Sequence, residues 1–148
     1  MELMWRAIGM APEEGRLQEW RDTVAEAFSW PHAAVFVVDD PDGDGGLAAC
    51  GAGVTAQRLP NPWHLGGSPV GYVQWMSTDP AFRRRGLARA VLRAVLAWLD
   101  AQGIDDVELH ASPDGAPLYR SEGFWRGNGG EPMRRRPWDP PPPAGAGP

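Results

Sequence analysis

The chain has 148 residues, 43% of them hydrophobic, and a formal net charge of −5. This length is typical of one domain with one hydrophobic core, and the acidic balance argues against general nucleic-acid binding, which needs a broad basic surface. No stretch approaches the roughly 20 apolar residues of a membrane helix, and the first residues lack the pattern of a signal peptide. We therefore expect a cytoplasmic protein with no nucleic-acid or membrane partner.

The first half of the chain predicts a strand, a helix and two further strands. Residues 3–10 are predicted as the first strand. Pro12 suits the first turn of a helix, and apolar residues then recur every three to four positions as far as Phe28. Strands are predicted at residues 33–38 and 47–57, around a turn rich in aspartate and glycine.

The single cysteine and the three histidines indicate no metal site. Cys50 lies in an apolar stretch, which predicts a buried thiol. The histidines are scattered at positions 32, 64 and 110, without the spacing of metal ligands. The nearby glycines Gly51 and Gly53 are interpreted as small residues of a strand, because apolar residues continue after them.

The second half of the chain predicts a strand–helix–strand unit. A loop at residues 59–69 leads into a strand at 70–78, and a long helix with an apolar stripe is predicted at 86–102. Gly103 is the predicted stop of that helix. The remaining predictions are a strand at 106–110, a helix from 112 to about 122, and two short strands at 124–125 and 133–135.

This order of elements predicts an α/β (α+β) domain over residues 1–136. Its sheet should be mixed and mostly antiparallel, with about six or seven strands and about three or four helices. The strands on either side of the long helix should form a parallel pair, since parallel strands need a crossover connection. Residues 137–148 are rich in proline and are predicted to be a disordered tail.

Three consecutive arginines stand between the predicted strand and the long helix. A helix N-terminus presents backbone N–H groups and partial positive charge, which suits a phosphate. Gly86 and Ala88 keep the start of the helix bare, and Arg83, Arg84 and Arg85 can form forked hydrogen bonds to phosphate oxygens. The alternative is a solvated charge patch. The small residues at this point favour a pyrophosphate-binding cradle.

The cradle does not match the common nucleotide-binding motifs, because the chain has no lysine and no G-x-G-x-x-G run opening a helix. The pattern Arg-x-x-Gly-x-Ala at positions 83–88 resembles the Q/R-x-x-G-x-G/A signature of the GNAT acyltransferase superfamily. Leu-Tyr-x-x-x-Gly-Phe at positions 118–124 is similar to that family's second block, and Pro80 stands where the family has a proline. The resemblance covers roughly residues 70–133.

The resemblance implies that acetyl-CoA binds in a gap between two splayed parallel strands, here residues 70–78 and 106–110. It implies a backbone N–H near Met76 that polarises the thioester carbonyl, as in an oxyanion hole. Ser112 stands where the family often has asparagine, so that match is weaker. The acetyl-CoA contacts that the resemblance implies are Met76, Ser77, Thr78, Arg83, Arg84, Arg85, Gly86, Leu87, Ala88, Arg89 and Ser112.

Two catalytic residues are predicted. Tyr119 matches the tyrosine that the family often uses as general acid toward the thiolate. The alternative is a core aromatic near Phe124, and the motif favours the functional role. Glu108 is the candidate base, because a partly buried carboxylate can be tuned for proton transfer. His110, His64 and Asp79 are other candidates, and a water chain could replace them all.

Together these features predict an acetyl-CoA-dependent N-acetyltransferase that acts on a primary amine of a small molecule or peptide. The N-terminal helix and the loop at residues 59–69 should recognise that amine. A non-catalytic acyl-CoA sensor is the alternative, and a small anion- or nucleic-acid-binding module is a third. No metal cofactor is expected, and a homodimer stays open.

Overall fold

The computed structural model describes residues 16–41, 46–62 and 65–126. The chain divides into two compact units, residues 1–112 and residues 113–148. The predicted domain end at residue 136 lies outside the described residues and stays a prediction. In chain order the elements are α1 (Arg16–Ala27), β1 (Ala33–Asp39), β2 (Leu47–Arg58), β3 (Ser68–Thr78), a 3-10 turn (Pro80–Phe82), α2 (Leu87–Ala101), β4 (Val107–Leu109) and α3 (Ala116–Ser121).

A mixed sheet with the strand order β1-β2-β3-β4 forms the centre of the first unit. β1 and β2 run antiparallel, as do β2 and β3, whereas β3 and β4 are parallel. Helix α2 is the crossover that joins the parallel pair, and Gly103, with φ +74°, follows its end. The prediction of a mixed, mostly antiparallel α/β fold with one parallel pair is therefore confirmed.

The described residues contain four strands, fewer than the six or seven that the sequence predicts. The strand predicted at residues 124–125 is wrong, because residues 124–126 form no strand. The amide of Phe124 instead donates to the carbonyl of Tyr119 at 3.0 Å and closes the end of α3. The predicted strands at residues 3–10 and 133–135 lie outside the described residues.

Glycines in the sheet let α2 approach the strands closely. A Cβ atom built on Gly53 would lie 2.9 Å from the Trp98 ring, and one on Gly71 would lie 2.8 Å from Leu99 Cδ1. These distances are shorter than real carbon contacts. The buried side chains of α2 are Val91, Leu92, Val95 and Leu99. Gly53, one of the small strand residues predicted from the sequence, and Gly71 thus form part of the surface on which this helix packs.

The second unit contains the short helix α3, which begins at Ala116 rather than at residue 112 as predicted. Gly123 has φ +92° and ends the helix, as the sequence predicts. The rings of Tyr119 and Phe124 meet edge to face, with centroids 6.0 Å apart and planes at 71°. This contact is local to the helix and the residues just after it.

Candidate functional site

The turn after β3 holds the start of the candidate cradle in place. The Oδ1 atom of Asp79 accepts a hydrogen bond from the Ala81 amide at 2.9 Å and caps the 3-10 turn. Asp79 is buried, as is Phe82 at the end of the turn. Asp79 was a candidate base in the sequence, but this capping contact gives its carboxylate a structural role.

Two left-handed residues shape the backbone that follows. Arg84 has φ +64° and Gly86 has φ +82°. A left-handed conformation is uncommon for a residue with a Cβ atom, and alternation of this kind turns successive N–H groups toward one side, which makes a concavity for anions. Gly86 is the N-cap of α2, and no side chain caps the helix there. The first turn of α2 also contains no acidic residue.

Two of the three loop arginines contact residues that precede the helix start. Arg83 Nε donates to the Thr78 carbonyl at 3.4 Å, which ties the loop to the end of β3. The Arg85 guanidinium carbon lies 5.1 Å from the centroid of the Phe82 ring, a cation–π distance. The side chains of all three loop arginines are exposed. Positive charge, a bare helix start and a concave backbone together fit the pyrophosphate of a nucleotide ligand.

The parallel strands β3 and β4 stop pairing well before β3 ends. The pairs are Gly71 with Val107, Tyr72 with Glu108 and Val73 with Leu109. Residues 74–78 of β3 continue without a β4 partner. We call this region, where the parallel pair ends and the longer strand runs on, the fork. The predicted acetyl-CoA contacts Met76, Ser77 and Thr78 all lie on the part of β3 that has no β4 partner, and the 3-10 turn connects this part to the cradle.

A β-bulge in this part of β3 was not predicted from the sequence. Cys50 pairs with Ser77 and Ala52 with Gln74, so two residues of β3 stand opposite Gly51. Trp75 in the bulge has φ +57°. A bulge re-aims the residues of a strand and often lies next to a functional site. The sequence signal for the bulge was Gly51, a glycine inside a strand. In the structure, a Cβ atom at this position would lie 2.5 Å from Met76 Sδ.

At the bulge, the side chain and the backbone of Met76 have different surroundings. Its side chain lies toward α2, because the Cβ position of Gly51 is close both to Met76 Sδ and to Val91 Cγ1. The Met76 side chain is therefore part of the packing under the helix. Only its backbone is left for a ligand, which agrees with the predicted use of a backbone N–H.

Glu108, the predicted base, forms an ion pair that the sequence did not reveal. Arg58, the last residue of β2, binds Glu108 Oε1 through one guanidinium nitrogen and Asp106 Oδ2 through the other. The side chain of Glu108 is 49% exposed. His110 and Ser112, further along, are also exposed, and His64 lies outside the described residues.

Tyr119, the predicted general acid, is buried in the second unit at 9% exposure. Burial raises the pKa of its phenol above the ordinary value of 10.0. The hydroxyl therefore keeps its proton at neutral pH, as a general acid requires. The roles predicted for Tyr119, for Glu108 and for the cradle residues stay predictions.

Comparison with known proteins decides the family. The sequence matches the model of the acetyltransferase (GNAT) family over residues 2–124. The chain belongs to this family. The resemblance inferred from the cradle and the second motif is thereby confirmed, and the match supports the prediction of an acyltransferase.

Curated relatives carry the name mycothiol acetyltransferase. That of Clavibacter michiganensis is 36% identical over 127 residues, and that of Saccharomonospora viridis is 31% identical over 123 residues. Each alignment covers 80% of this chain. The chain spans only 36% and 39% of the length of these two relatives, so it is similar to a part of them.

Solved structures share the fold. An acetyltransferase of Clostridium acetobutylicum, crystallised with acetyl-CoA, superimposes with a TM-score of 0.71 at 19% identity and covers 90% of this chain and 86% of its own. Glucosamine-6-phosphate N-acetyltransferase of Arabidopsis thaliana gives a TM-score of 0.73 at 16% identity, with 93% and 88% covered. At these identities the likeness shows the fold alone.

Two surface depressions lie elsewhere in the first unit. One of about 270 Å³ is apolar and lies between the end of α1, at Ala27 and Phe28, and β1, at Val35 and Val37. The other, of about 570 Å³, is lined by residues that include His32 and Ile104. Neither is lined by a cradle residue. Within the described ranges no helix has the length and apolarity to cross a membrane, and no three potential metal ligands cluster.

Proposed function

We propose that this protein is an acetyl-CoA-dependent N-acetyltransferase that transfers an acetyl group to a primary amine of a small molecule or peptide. The observation that carries the proposal is the continuity of fork and cradle. Residues 74–78 of β3, which have no β4 partner, are joined by the 3-10 turn to residues 83–89, the arginine loop and first turn of α2. A ligand with a long arm and a pyrophosphate fits this arrangement, because the strand offers backbone groups and the helix start offers positive charge.

In this proposal the cradle binds the pyrophosphate and fixes the register of the ligand. Arg83 already contacts Thr78, and Arg85 already contacts Phe82. These two side chains therefore lose less conformational entropy on ligand binding than unrestrained side chains would. The bare N-cap at Gly86 lets phosphate oxygens reach the backbone of the helix. The backbone of the half-buried residues 76–78, which has no β4 partner, then takes the pantetheine arm.

Acetyl-CoA supplies a thioester: the amine nitrogen forms a bond to the acetyl carbon, the C–S bond breaks, and the sulfur leaves as a thiolate that takes a proton. A backbone N–H near Met76 would stabilise the developing oxyanion. The hydroxyl of Tyr119 would donate the proton to sulfur, and its burial keeps that proton in place. Glu108 or a water chain would take the proton that the amine loses.

The acceptor is proposed to be a mycothiol-related amine. The curated relatives carry the name mycothiol acetyltransferase, and they share up to 36% identity with this chain. This is the reason to place such an amine first in an acceptor panel, ahead of simple amino acids and peptides. The cytoplasm is the compartment that we propose for the reaction.

The decisive experiment is calorimetric titration of acetyl-CoA into the protein and into the double variant Arg84→Ala, Arg85→Ala. We expect micromolar binding that is lost in the double variant. Arg21→Ala on α1 is the control, since it removes an exposed arginine outside the cradle. No binding by the unaltered protein at millimolar acetyl-CoA would refute the proposal.

The alternative is a domain that binds acyl-CoA as a sensor without catalysis. It shares the cradle and the fork, so binding alone does not separate the two. Product formation with the amine panel does: an enzyme forms coenzyme A and acetylated amine in equal amounts, whereas a sensor forms neither. Turnover by the protein would therefore exclude the sensor.

A further inference from the structure

We propose that Arg58 is a positioning residue that sets where the fork begins. It does so by binding two carboxylates of the β4 segment from β2, across the intervening strand β3. We call Arg58, Asp106 and Glu108 together the clamp. This inference rests on the proposed function, because the fork is taken as the place where the arm of acetyl-CoA binds.

The clamp spans three strands of the sheet. Arg58 is the last residue of β2, and its nearest neighbouring strand is β3, not β4. One guanidinium nitrogen binds Asp106 and the other binds Glu108. Residues two apart on a strand point to the same face, so a single planar guanidinium can reach both carboxylates.

The contact lies on the face of the sheet opposite α2. Glu108 pairs with Tyr72, and Tyr72 pairs with Val54 on β2. Their neighbour Gly71 is the residue that faces Leu99 of α2. Since side chains alternate along a strand, Tyr72, Glu108 and Arg58 share the other face. The clamp and α2 therefore hold β3 from opposite sides.

The clamp is placed at the closed end of the fork. The parallel pairing is limited to residues 71–73 of β3 and 107–109 of β4, with one further bond from the Gly71 amide to the Asp106 carbonyl at 2.9 Å. So short a parallel pair is weakly held by its own hydrogen bonds. A bidentate contact to Asp106 and Glu108 adds a second constraint on this segment, just before the two strands separate.

The clamp makes only a small contribution to the stability of the whole unit. Its side chains are 34%, 52% and 49% exposed for Arg58, Asp106 and Glu108, and exposed ion pairs contribute little to folding. The antiparallel pairing of β2 with β3 does not depend on it. We therefore expect its loss to change the width of the fork, and with it the affinity for acetyl-CoA, more than the melting temperature.

The clamp proposal predicts a change in acetyl-CoA affinity that is opposite in direction to the change expected from charge alone. Glu108→Gln and Asp106→Asn each remove a negative charge, so simple electrostatics would make an anionic ligand bind more tightly. If the clamp positions the fork, both substitutions weaken binding instead, by roughly two- to fivefold, the upper range for exposed ion pairs. Arg58→Gln should weaken it by a similar factor.

Lysine at position 58 is the conservative rescue. It keeps the positive charge but replaces the planar guanidinium group, which binds two carboxylates at once, with a single ammonium group. Arg58→Lys should therefore recover only part of the affinity that Arg58→Gln loses. Full recovery would mean that charge alone matters and would overturn the proposal.

The test is a double-mutant cycle on the dissociation constant of acetyl-CoA, measured by calorimetry for Arg58→Gln, Glu108→Gln and the double variant. Residues that act through one contact are not additive, so the double variant should bind no more weakly than either single variant. Arg21→Gln controls for lost positive charge. Val35→Ala, a half-buried position on β1, controls for a general loss of stability.

The outcomes separate this inference from the proposed function. If the unaltered protein does not bind acetyl-CoA, the proposed function fails and the clamp proposal falls with it. If it binds, and Arg58→Gln binds equally well, the clamp proposal alone fails. Hydrogen exchange gives a readout without ligand: Arg58→Gln should speed exchange at the Gly71 amide and leave β1 and β2 unchanged, and unaltered exchange there would overturn the proposal.

The same measurements separate the clamp from the predicted base role of Glu108. A base is required for turnover, so in that role Glu108→Gln lowers kcat and leaves the dissociation constant of acetyl-CoA unchanged. In the clamp role, Glu108→Gln and Asp106→Asn each raise the dissociation constant of acetyl-CoA. An effect on kcat alone, with Asp106→Asn silent, would overturn the clamp proposal.

Discussion

The thiol of Cys50 lies 3.4 Å from the carbonyl oxygen of Trp75, across the β2–β3 pair and at the bulge. Trp75 has a left-handed backbone, and its carbonyl accepts this weak hydrogen bond from the thiol. The contact links the buried cysteine to the irregular part of the strand that carries the candidate acetyl-CoA contacts. Cys50 thus supports the bulged part of β3 from the neighbouring strand.

We expect Cys50 to be unreactive in the folded protein. Burial raises the pKa of its thiol above the ordinary value of 9.0, outweighing the lowering effect of the Ser77 backbone. The thiolate is the reactive form, so labelling by a thiol reagent at pH 8 should be slow until denaturant is added. Labelling at the same rate with and without denaturant would contradict the burial of Cys50.

The same raised pKa predicts how stability changes with pH. The folded protein holds the thiol proton more tightly than the unfolded chain, so this contribution to stability is complete below about pH 9 and is lost as pH rises further. Cys50→Ala removes it. The difference in unfolding free energy between Cys50→Ala and the unaltered protein should therefore shrink between pH 8 and pH 11 in denaturant titrations.

Two glycines that flank α2 provide a matched pair for testing the cradle. Gly86 precedes the helix with φ +82° and Gly103 follows it with φ +74°, and an added Cβ atom would meet no atom within 4 Å at either position. Gly86→Ala and Gly103→Ala should each lower the unfolding free energy by about 1–2 kcal/mol through backbone strain. Only Gly86→Ala should weaken binding of acetyl-CoA.

Calorimetric titration and denaturant unfolding of both variants check this expectation. The Gly103 variant measures the effect of strain alone, because it lies at the other end of the same helix. Equal loss of acetyl-CoA affinity in both variants would mean that helix stability, rather than the helix start, controls binding.

Replacing Tyr119 with phenylalanine should lower kcat while acetyl-CoA still binds. The substitution keeps the ring that meets Phe124 and removes only the hydroxyl, so the loss should be on the order of 10²- to 10⁴-fold, as for other general acids. Steady-state kinetics and calorimetry on the same preparation measure the two quantities. An unchanged kcat would remove Tyr119 from the mechanism.

The pH profile gives a further check on Tyr119. Because burial raises the pKa of this phenol above 10.0, loss of its proton should not limit the rate below about pH 10. Its contribution to folding stability is likewise present below pH 10 and lost as pH rises further. A rate that falls near pH 8 would point to a different acid.

Enlarging Gly71 should displace α2. An alanine there would place its Cβ atom 2.8 Å from Leu99 Cδ1, and overpacking of a core typically costs about 1–3 kcal/mol. Gly66→Ala is the control, since nothing lies within 4 Å of its Cβ position. Denaturant unfolding should show a clear loss for Gly71→Ala and little change for Gly66→Ala.

Most of the first unit could be predicted from the sequence, because its elements have strong local patterns. The apolar stripe of α2 and its glycine stop fix a helix whatever surrounds it. The segment that follows α3 was harder to predict. Phe124 and Trp125 have the composition of a strand, but Phe124 uses its amide to close α3, and composition does not reveal which partner an amide will find.

The sequence by itself was enough to indicate the family, which the family match confirms. It also predicts the cradle, because the arginines, Gly86 and the start of α2 are neighbours along the chain and their geometry is local. Only the tertiary structure decided the bulge at Trp75 and the clamp at Arg58. Each depends on contacts between residues 25 or more positions apart, and in such cases strand register, not chain order, sets which side chains meet.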